Sequence, residues 1–207
     1  MYYNAEHYPD PTVGEAISHL AQKERQEEMN TGKRFEADWK ASVPSGVWYL
    51  RLKDSPATFY GGAQEGIRFS ADNICDNLLF REPMLALVEL KTVGTPSASL
   101  TAMFGKYDAE KKRYKKQKHL EDMDKAAQHE GITAVVVINY RSAGHTYAIT
   151  AAQALRWLNN SATGDGRKSI PESWCAEHGT LVQQRQLKVN WRYDVRGLLD
   201  QLEKVGG

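Results

Sequence analysis

Two short apolar runs dominate what this chain can become. They are Asn73-Ile74-Cys75-Asp76-Asn77-Leu78-Leu79-Phe80 and Leu85-Ala86-Leu87-Val88-Glu89-Leu90-Lys91, separated only by Arg81-Glu82-Pro83-Met84. So short a separation predicts an antiparallel hairpin with Phe80 opposite Leu85. Both faces of the hairpin are largely apolar, so it belongs inside a sheet that is covered on both sides. Counting back along that register sets Asp76 directly opposite Glu89, and such cross-strand pairs bring Cβ atoms to roughly 4.5–5.5 Å. Lys91 lies two residues beyond Glu89 and therefore points to the same face.

Two carboxylates this close repel one another, and burial strengthens the repulsion. A divalent cation resolves it, and the pattern points to hydrolysis of phosphodiesters. That reaction needs a water made nucleophilic near neutral pH and a counter-charge for the phosphate oxygens, and a bound metal supplies both. Mg²⁺ takes one or two carboxylates together with waters and substrate phosphate. Asp76 and Glu89 are the candidate ligands, with the Leu90 carbonyl as a third, and Mn²⁺ is a natural substitute. Lys91 would orient the attacking water or compensate the phosphate charge. The opposing reading is an ordinary Glu89–Lys91 ion pair on a sheet edge, with Asp76 in a turn. Apolar flanks on both sides argue against an edge.

The 207 residues allow one sizeable domain with an appendage. Residues 1–30 read as a helical arm with a weak apolar stripe, and 31–207 as the main domain. A short helix is expected from Thr31 to Ser42, with Phe35, Trp39 and Val43 on its apolar stripe and Lys33, Glu36 and Lys40 on another face. Pro44-Ser45-Gly46 ends it. Val47 to Leu52 reads as a strand, Lys53 to Ser70 as a long connection, and 93–105 as a Gly/Ser/Thr/Pro loop. A helix is expected from Lys106 to His129, stopped by Gly131. Thr133 to Tyr140 is a continuous β-branched run and a buried strand, implying a right-handed crossover to a parallel neighbour. Further elements are a strand at His145–Thr150, a helix at Ala151–Asn159 and a polar loop at 160–170. A strand near Leu187–Tyr193 and a helix from Asp194 to Lys204 close the chain. The sum is an α/β domain with a mixed central sheet flanked by helices.

Net charge is only +1, yet its placement is uneven. Residues 1–30 carry six acids against Lys23 and Arg25. The segment 106–118 carries Lys106, Lys111, Lys112, Arg113, Lys115, Lys116 and Lys118 against Asp108 and Glu110. A basic block on a near-neutral protein is a local anion-binding surface, and nucleic acid is the expected partner. Gln117 lies on the core-facing stripe of the expected helix and needs hydrogen-bond partners there. No run approaches the roughly 20 apolar residues of a membrane span, and the first residues lack the order of a signal peptide. Cys75 and Cys175 have no metal-ligand or redox spacing, which favours free thiols in a reducing cytosol. Cys75 reads as a buried packing residue, and Trp191-Arg192-Tyr193 as aromatic core.

Asp76 followed after twelve residues by Glu89-Leu90-Lys91 resembles the signature of the PD-(D/E)xK nuclease superfamily. Ile74 stands where that signature's proline would be. Gly32-Lys33-Arg34-Phe35-Glu36 upstream, then a strand, a bridging loop and the hairpin, is similar to the RecU-type Holliday junction resolvases. Tyr49-Leu50-Arg51-Leu52-Lys53-Asp54 and Asn73-Ile74-Cys75-Asp76 bring it nearest to the phage-encoded branch. The likeness spans Thr31 to Leu199. It implies a restriction-endonuclease-like core and a homodimer that nicks two strands of a four-way DNA junction symmetrically, with no nucleotide cofactor. Asp76 and Glu89 would hold the metal, Lys91 would be the catalytic lysine, and Glu36 a further acid at the site. Residues 53–70 would form a stalk entering the junction, with Arg51, Lys53 and Arg68 as DNA contacts, and Lys33 beside Glu36 joins them. Lys111, Lys112, Arg113, Lys115, Lys116 and Gln117 would meet a duplex arm, with His119 as the alternative to Gln117 in the register of the family's glutamine. A same-fold nuclease for flaps, nicks or linear duplex, and a non-catalytic DNA-binding recombination accessory protein, are the alternatives.

Overall fold

The computed structural model describes residues 30–52, 73–162 and 166–206. A six-stranded sheet forms its centre. In spatial order the strands are β1 (Trp48–Arg51), β2 (Asn77–Arg81), β3 (Met84–Val93), β7 (Ile132–Tyr140), β8 (His145–Thr150) and β10 (Thr180–Leu181). The hairpin register is the expected one, with Phe80 opposite Leu85. Strand β3 then runs parallel to β7 from Leu85↔Ile132 to Val93↔Tyr140, and every other pairing in this sheet is antiparallel. The turn is cut to Glu82-Pro83, because Arg81 and Met84 already belong to the ladder.

Both sheet faces are covered, as the doubly apolar strands require. One face carries Leu87, Val136, Ile138, Tyr140, Tyr147 and Ile149 into a core with helices α2 (Leu100–Phe104), α3 (Gln117–Ala126), α4 (Ala151–Ala162) and α5 (Glu172–His178). The other carries Ala86, Val88, Leu90, Val135, Val137 and Ala148 against helix α1 (residues 30–40), helix α6 (Val195–Gly206) and strand β12 (Trp191–Tyr193). The alternation follows from the two-residue period of a strand. Phe35, Trp39 and Tyr193 form one aromatic cluster, with ring centroids 5.2–6.3 Å apart. Polar contacts seal the same junction. Asp38 Oδ2 accepts from the Trp191 amide at 3.1 Å, and Ser42 Oγ from the Tyr193 amide at 3.0 Å. Helix α1 is thereby fixed to the C-terminal part of the chain.

Several expectations are corrected. The segment 106–129 is not one helix. Its first part is a small hairpin, β5 (Tyr107–Asp108) and β6 (Arg113–Tyr114), and only Gln117–Ala126 is helical. Asp108 explains the difference: its Oδ1 accepts the amide hydrogens of Glu110 and Lys111, both at 3.0 Å, and folds the chain back. Lys112 completes the turn at φ 49°. Gln117 consequently opens α3 and does not lie midway along a longer helix. The loop expected at 93–105 contains β4 (Ser97–Ser99) and α2, and the one expected at 160–170 contributes the start of β9 (Ser169–Pro171), which pairs with β4. The strand expected near 187–193 shortens to β12, paired with β11 (Gln184–Gln186). The arm at 1–29, and residues 53–72 with Lys53 and Arg68, lie outside the described residues.

Candidate active site

Strand alternation sends Glu89 and Lys91 to the α2–α5 side of the sheet, while Val88 and Leu90 enter the opposite core. The strand that carries them is third of six, so this is an interior strand and not an edge. The ladder of the hairpin begins at Asn77↔Val88, which leaves Asp76 in a bend one residue before β2. From there the Asp76 carboxylate reaches across the strands: Oδ2 accepts the Leu90 amide hydrogen at 2.7 Å. The Asp76 carbonyl accepts from the Leu52 amide at 2.9 Å, which ties the end of β1 to the same bend. Lys91 Nζ donates to Glu89 Oε1 at 2.5 Å, and both side chains are largely buried, at 15% and 10% exposure. The ion pair of the opposing sequence reading therefore exists, but it sits inside the sheet beside a third charge.

The electrostatics follow from that crowding. Burial first, and then the negative charge of Glu89, push the Asp76 carboxyl up to about 6, against the opposing pull of Lys91 and of the Leu90 amide. Glu36 adds to the rise. For Lys91, burial favours the neutral amine, but Glu89, Asp76 and Glu36 together outweigh it and raise the ammonium above its ordinary value. Two carboxylates thus share one buried ammonium, and a carboxyl held that far above the ordinary aspartate range marks a local shortage of positive charge.

Glu36 comes in from α1 and pairs with Arg51 of β1. Its Oε2 is buried and lacks a hydrogen bond of normal geometry. Asn77, beside Asp76, is buried with Oδ1 unpartnered. Sequence reading passed over Asn77, whose one visible signal is an amide opening an apolar strand. Arg51, expected as a DNA contact, stands half-exposed on Glu36, and Lys33 is exposed on α1. Lys111, Lys112, Lys115 and Lys116 are exposed on or beside the small hairpin, with Arg113 half-buried. Gln117 is buried and uses its amide internally. Its Oε1 accepts from the Tyr114 amide at 3.3 Å, and its Nε2 donates to Glu121 at 3.1 Å and to Asn159 at 3.3 Å. His119 lies two residues further along α3, half-buried.

Oxygen donors of high charge density suit a hard divalent cation. Asp76 and Glu89 carry them, and the raised Asp76 carboxyl is what a cation would relieve. Among the described residues no group of three or more His, Cys, Asp or Glu side chains is already gathered at ligand distance. The fit is therefore that of a two-carboxylate site completed by main chain, water and phosphate. Two open depressions elsewhere, one along Ala41–Ser42 and Gln183–Arg185, the other along Gln128–Ala134, include none of Asp76, Glu89 and Lys91. No helix among the described residues is long and apolar enough to cross a membrane.

No protein-family profile and no curated protein matches this chain. Among solved structures it is similar to Hjc of Archaeoglobus fulgidus, a Holliday junction resolvase from an archaeal hyperthermophile. The identity is 17%, the match covers 72% of this chain and 95% of that one, and the TM-score is 0.42.

Proposed function

We propose that this protein is a divalent-metal-dependent endodeoxyribonuclease that resolves four-way DNA junctions. The observation that carries the nuclease reading is the largely buried cluster of Glu89 and Lys91 on an interior strand with Asp76 reaching in from the adjoining bend, its carboxyl held above its ordinary range by burial and by Glu89. The junction as substrate is supported by the resemblance of Gly32–Glu36 and of the hairpin to the RecU-type resolvases.

Asp76 and Glu89, with the Leu90 carbonyl, would hold Mg²⁺ or Mn²⁺. When bound, the cation supplies an activated water and a counter-charge for the phosphate. The chain's own part is positioning. The Leu90 amide fixes one Asp76 oxygen and leaves the other for a ligand. Lys91 is kept charged by its acidic neighbours and presents hydrogen-bond donors to the phosphate or to the attacking water. Glu36 closes the site from the α1 side, with Arg51 beside it as a second cation for the DNA backbone.

The test is to incubate the protein with a four-way junction, a flap and a linear duplex, each with Mg²⁺, Mn²⁺ or EDTA. Paired symmetric nicks on the junction alone, abolished by EDTA and by Asp76→Ala or Glu89→Ala, are the expected result. Cutting of flap or duplex at equal rates would replace the junction with a broader substrate. Wild-type rates in both variants would overturn the site. Paired nicks require two sites related by a two-fold axis, so a dimer is expected by sedimentation at micromolar concentration.

A further inference from the structure

The basic hairpin β5–β6 has two different faces. Tyr107 pairs with Tyr114, their rings meet edge to face at 5.3 Å, and Tyr114 is buried in the core. Tyr114 also shares a 2.9 Å hydrogen bond with Ser161 of α4. That face is docked through Tyr114. Alternation turns the neighbouring residues the other way: Arg113 and Asp108, which are paired, and the flanking Lys106 and Lys115, joined by a 3.1 Å bond from the Lys115 amide to the Lys106 carbonyl. Of the charges here, Asp108 is occupied in closing the turn, and Lys118 is paired with Asp122 at 2.5 Å. Among the described residues, Lys106, Lys112, Arg113, Lys115 and Lys116 make no ion pair.

Two like charges facing each other across a pair of strands destabilise it, and Lys106 faces Lys115 in that way. The strands are forced close at this end. Gly105 lies at φ 81°, and a Cβ there would come within 3.0 Å of the Lys115 Cβ. The fold thus tolerates a lysine pair where its own stability favours a neutral or opposite one. A polyanion along the outer face removes the conflict. The hairpin arises from the layer of helices on the side of the sheet to which Glu89 and Lys91 point.

We infer that the outer face of this hairpin, with Lys106, Arg113 and Lys115 and the Lys112 tip, lies along the phosphates of a duplex arm, and that Gln117 positions it without touching the DNA. Gln117 binds the Tyr114 amide on one side and Asn159 of α4 on the other, so it couples the hairpin to two helices. The inference rests on the proposed nuclease function for its ligand, but the binding it describes needs no cleavage.

The experiment measures binding of a fluorescent four-way junction in EDTA over a series of salt concentrations. Each neutralised phosphate contact lowers the slope of log K against log salt by about 0.9. The triple variant Lys106→Gln, Arg113→Gln, Lys115→Gln is expected to flatten the slope by about 2–3 and to weaken binding at least tenfold at low salt. Lys118→Gln, whose charge is already paired, is expected to leave both unchanged. Gln117→Ala is expected to weaken binding in the wild-type background and to add nothing in the triple variant. An additive loss would make Gln117 a contact in its own right. A triple variant with the wild-type slope overturns the inference while leaving the nuclease reading intact. A flattened slope in a protein that cuts no DNA with any divalent metal overturns the nuclease reading and leaves the hairpin as a DNA-binding element.

Discussion

The Asp76 carboxylate accepts the Leu90 amide hydrogen at 2.7 Å, across the two strands of one hairpin. This bond holds a carboxylate among apolar neighbours and beside Glu89, an arrangement that costs stability whenever Asp76 is ionised. In the folded protein the Asp76 carboxyl is raised from 3.8 to about 6. A raised carboxyl means that the folded state binds the extra proton, so stability falls as pH rises between those values and levels off above them. The metal-free protein is expected to lose about 3 kcal/mol across that window from this group. Asp76→Asn, which keeps an acceptor for Leu90, should flatten this part of the profile and abolish cleavage. Urea melts in EDTA at pH 5 and pH 8 check the first, and the junction assay the second.

Lys91 neutralises two acids, so its removal leaves them facing one another. Lys91→Met is expected to destabilise the metal-free protein by about 3 kcal/mol at pH 8 and by less at pH 5, where Asp76 takes up a proton. Millimolar Mg²⁺ should return part of the loss, because a cation at Asp76 and Glu89 replaces the missing charge. Thermal melts with Mg²⁺ and with EDTA read this without any DNA. If Mg²⁺ shifts neither protein, the two carboxylates are not a metal site.

Trp39 is fully buried between Phe35 and Tyr193, and Asp38 and Ser42 fasten the same turn to β12. Trp39→Ala should cost about 3–5 kcal/mol, measured by denaturant unfolding, and Trp39→Phe considerably less. Because α1 also carries Glu36, cleavage by a still-folded Trp39→Phe protein should fall further than its stability alone explains.

Both thiols are shielded. Burial pushes Cys75 up to about 12 and Cys175 up to about 11, so neither is a thiolate at pH 8. A thiol reagent should label neither in the native protein and both on unfolding. Rapid native labelling of Cys75 would mean that the hairpin opens next to Asp76.

The hairpin at 77–91 was legible because three signals agree there: its turn, its doubly apolar strands and three charges that only one register brings together. The β-branched run into Tyr140 and the strand at His145–Thr150 were legible for the same kind of reason. The segment after Lys106 was not. Its lysines, glutamate and alanine have helical propensity, and strands of two residues are too short to show a period. What decides it is one aspartate binding two amides ahead of it. Strands β4, β9, β10 and β11 escaped for the same want of length. Glu36 was visible as a polar residue on an amphipathic helix, but its meeting with Arg51 depends on how α1 lies against the sheet, which no local pattern encodes.

On β3, Glu89 and Lys91 face one side, Val88 and Leu90 the other, and a slip of one residue against β2 or β7 would exchange the two sets. Such a slip would bury an acid and an ammonium in the α1–α6 core and turn Val88 and Leu90 away from the residues they pack against there. Misregistered chains would therefore be inactive and unstable at once, so no folded population should carry a half-built site. An insertion at Glu82-Pro83 ought to yield less folded protein rather than a stable protein with reduced activity. The site and the core on either side of this strand form one unit of selection.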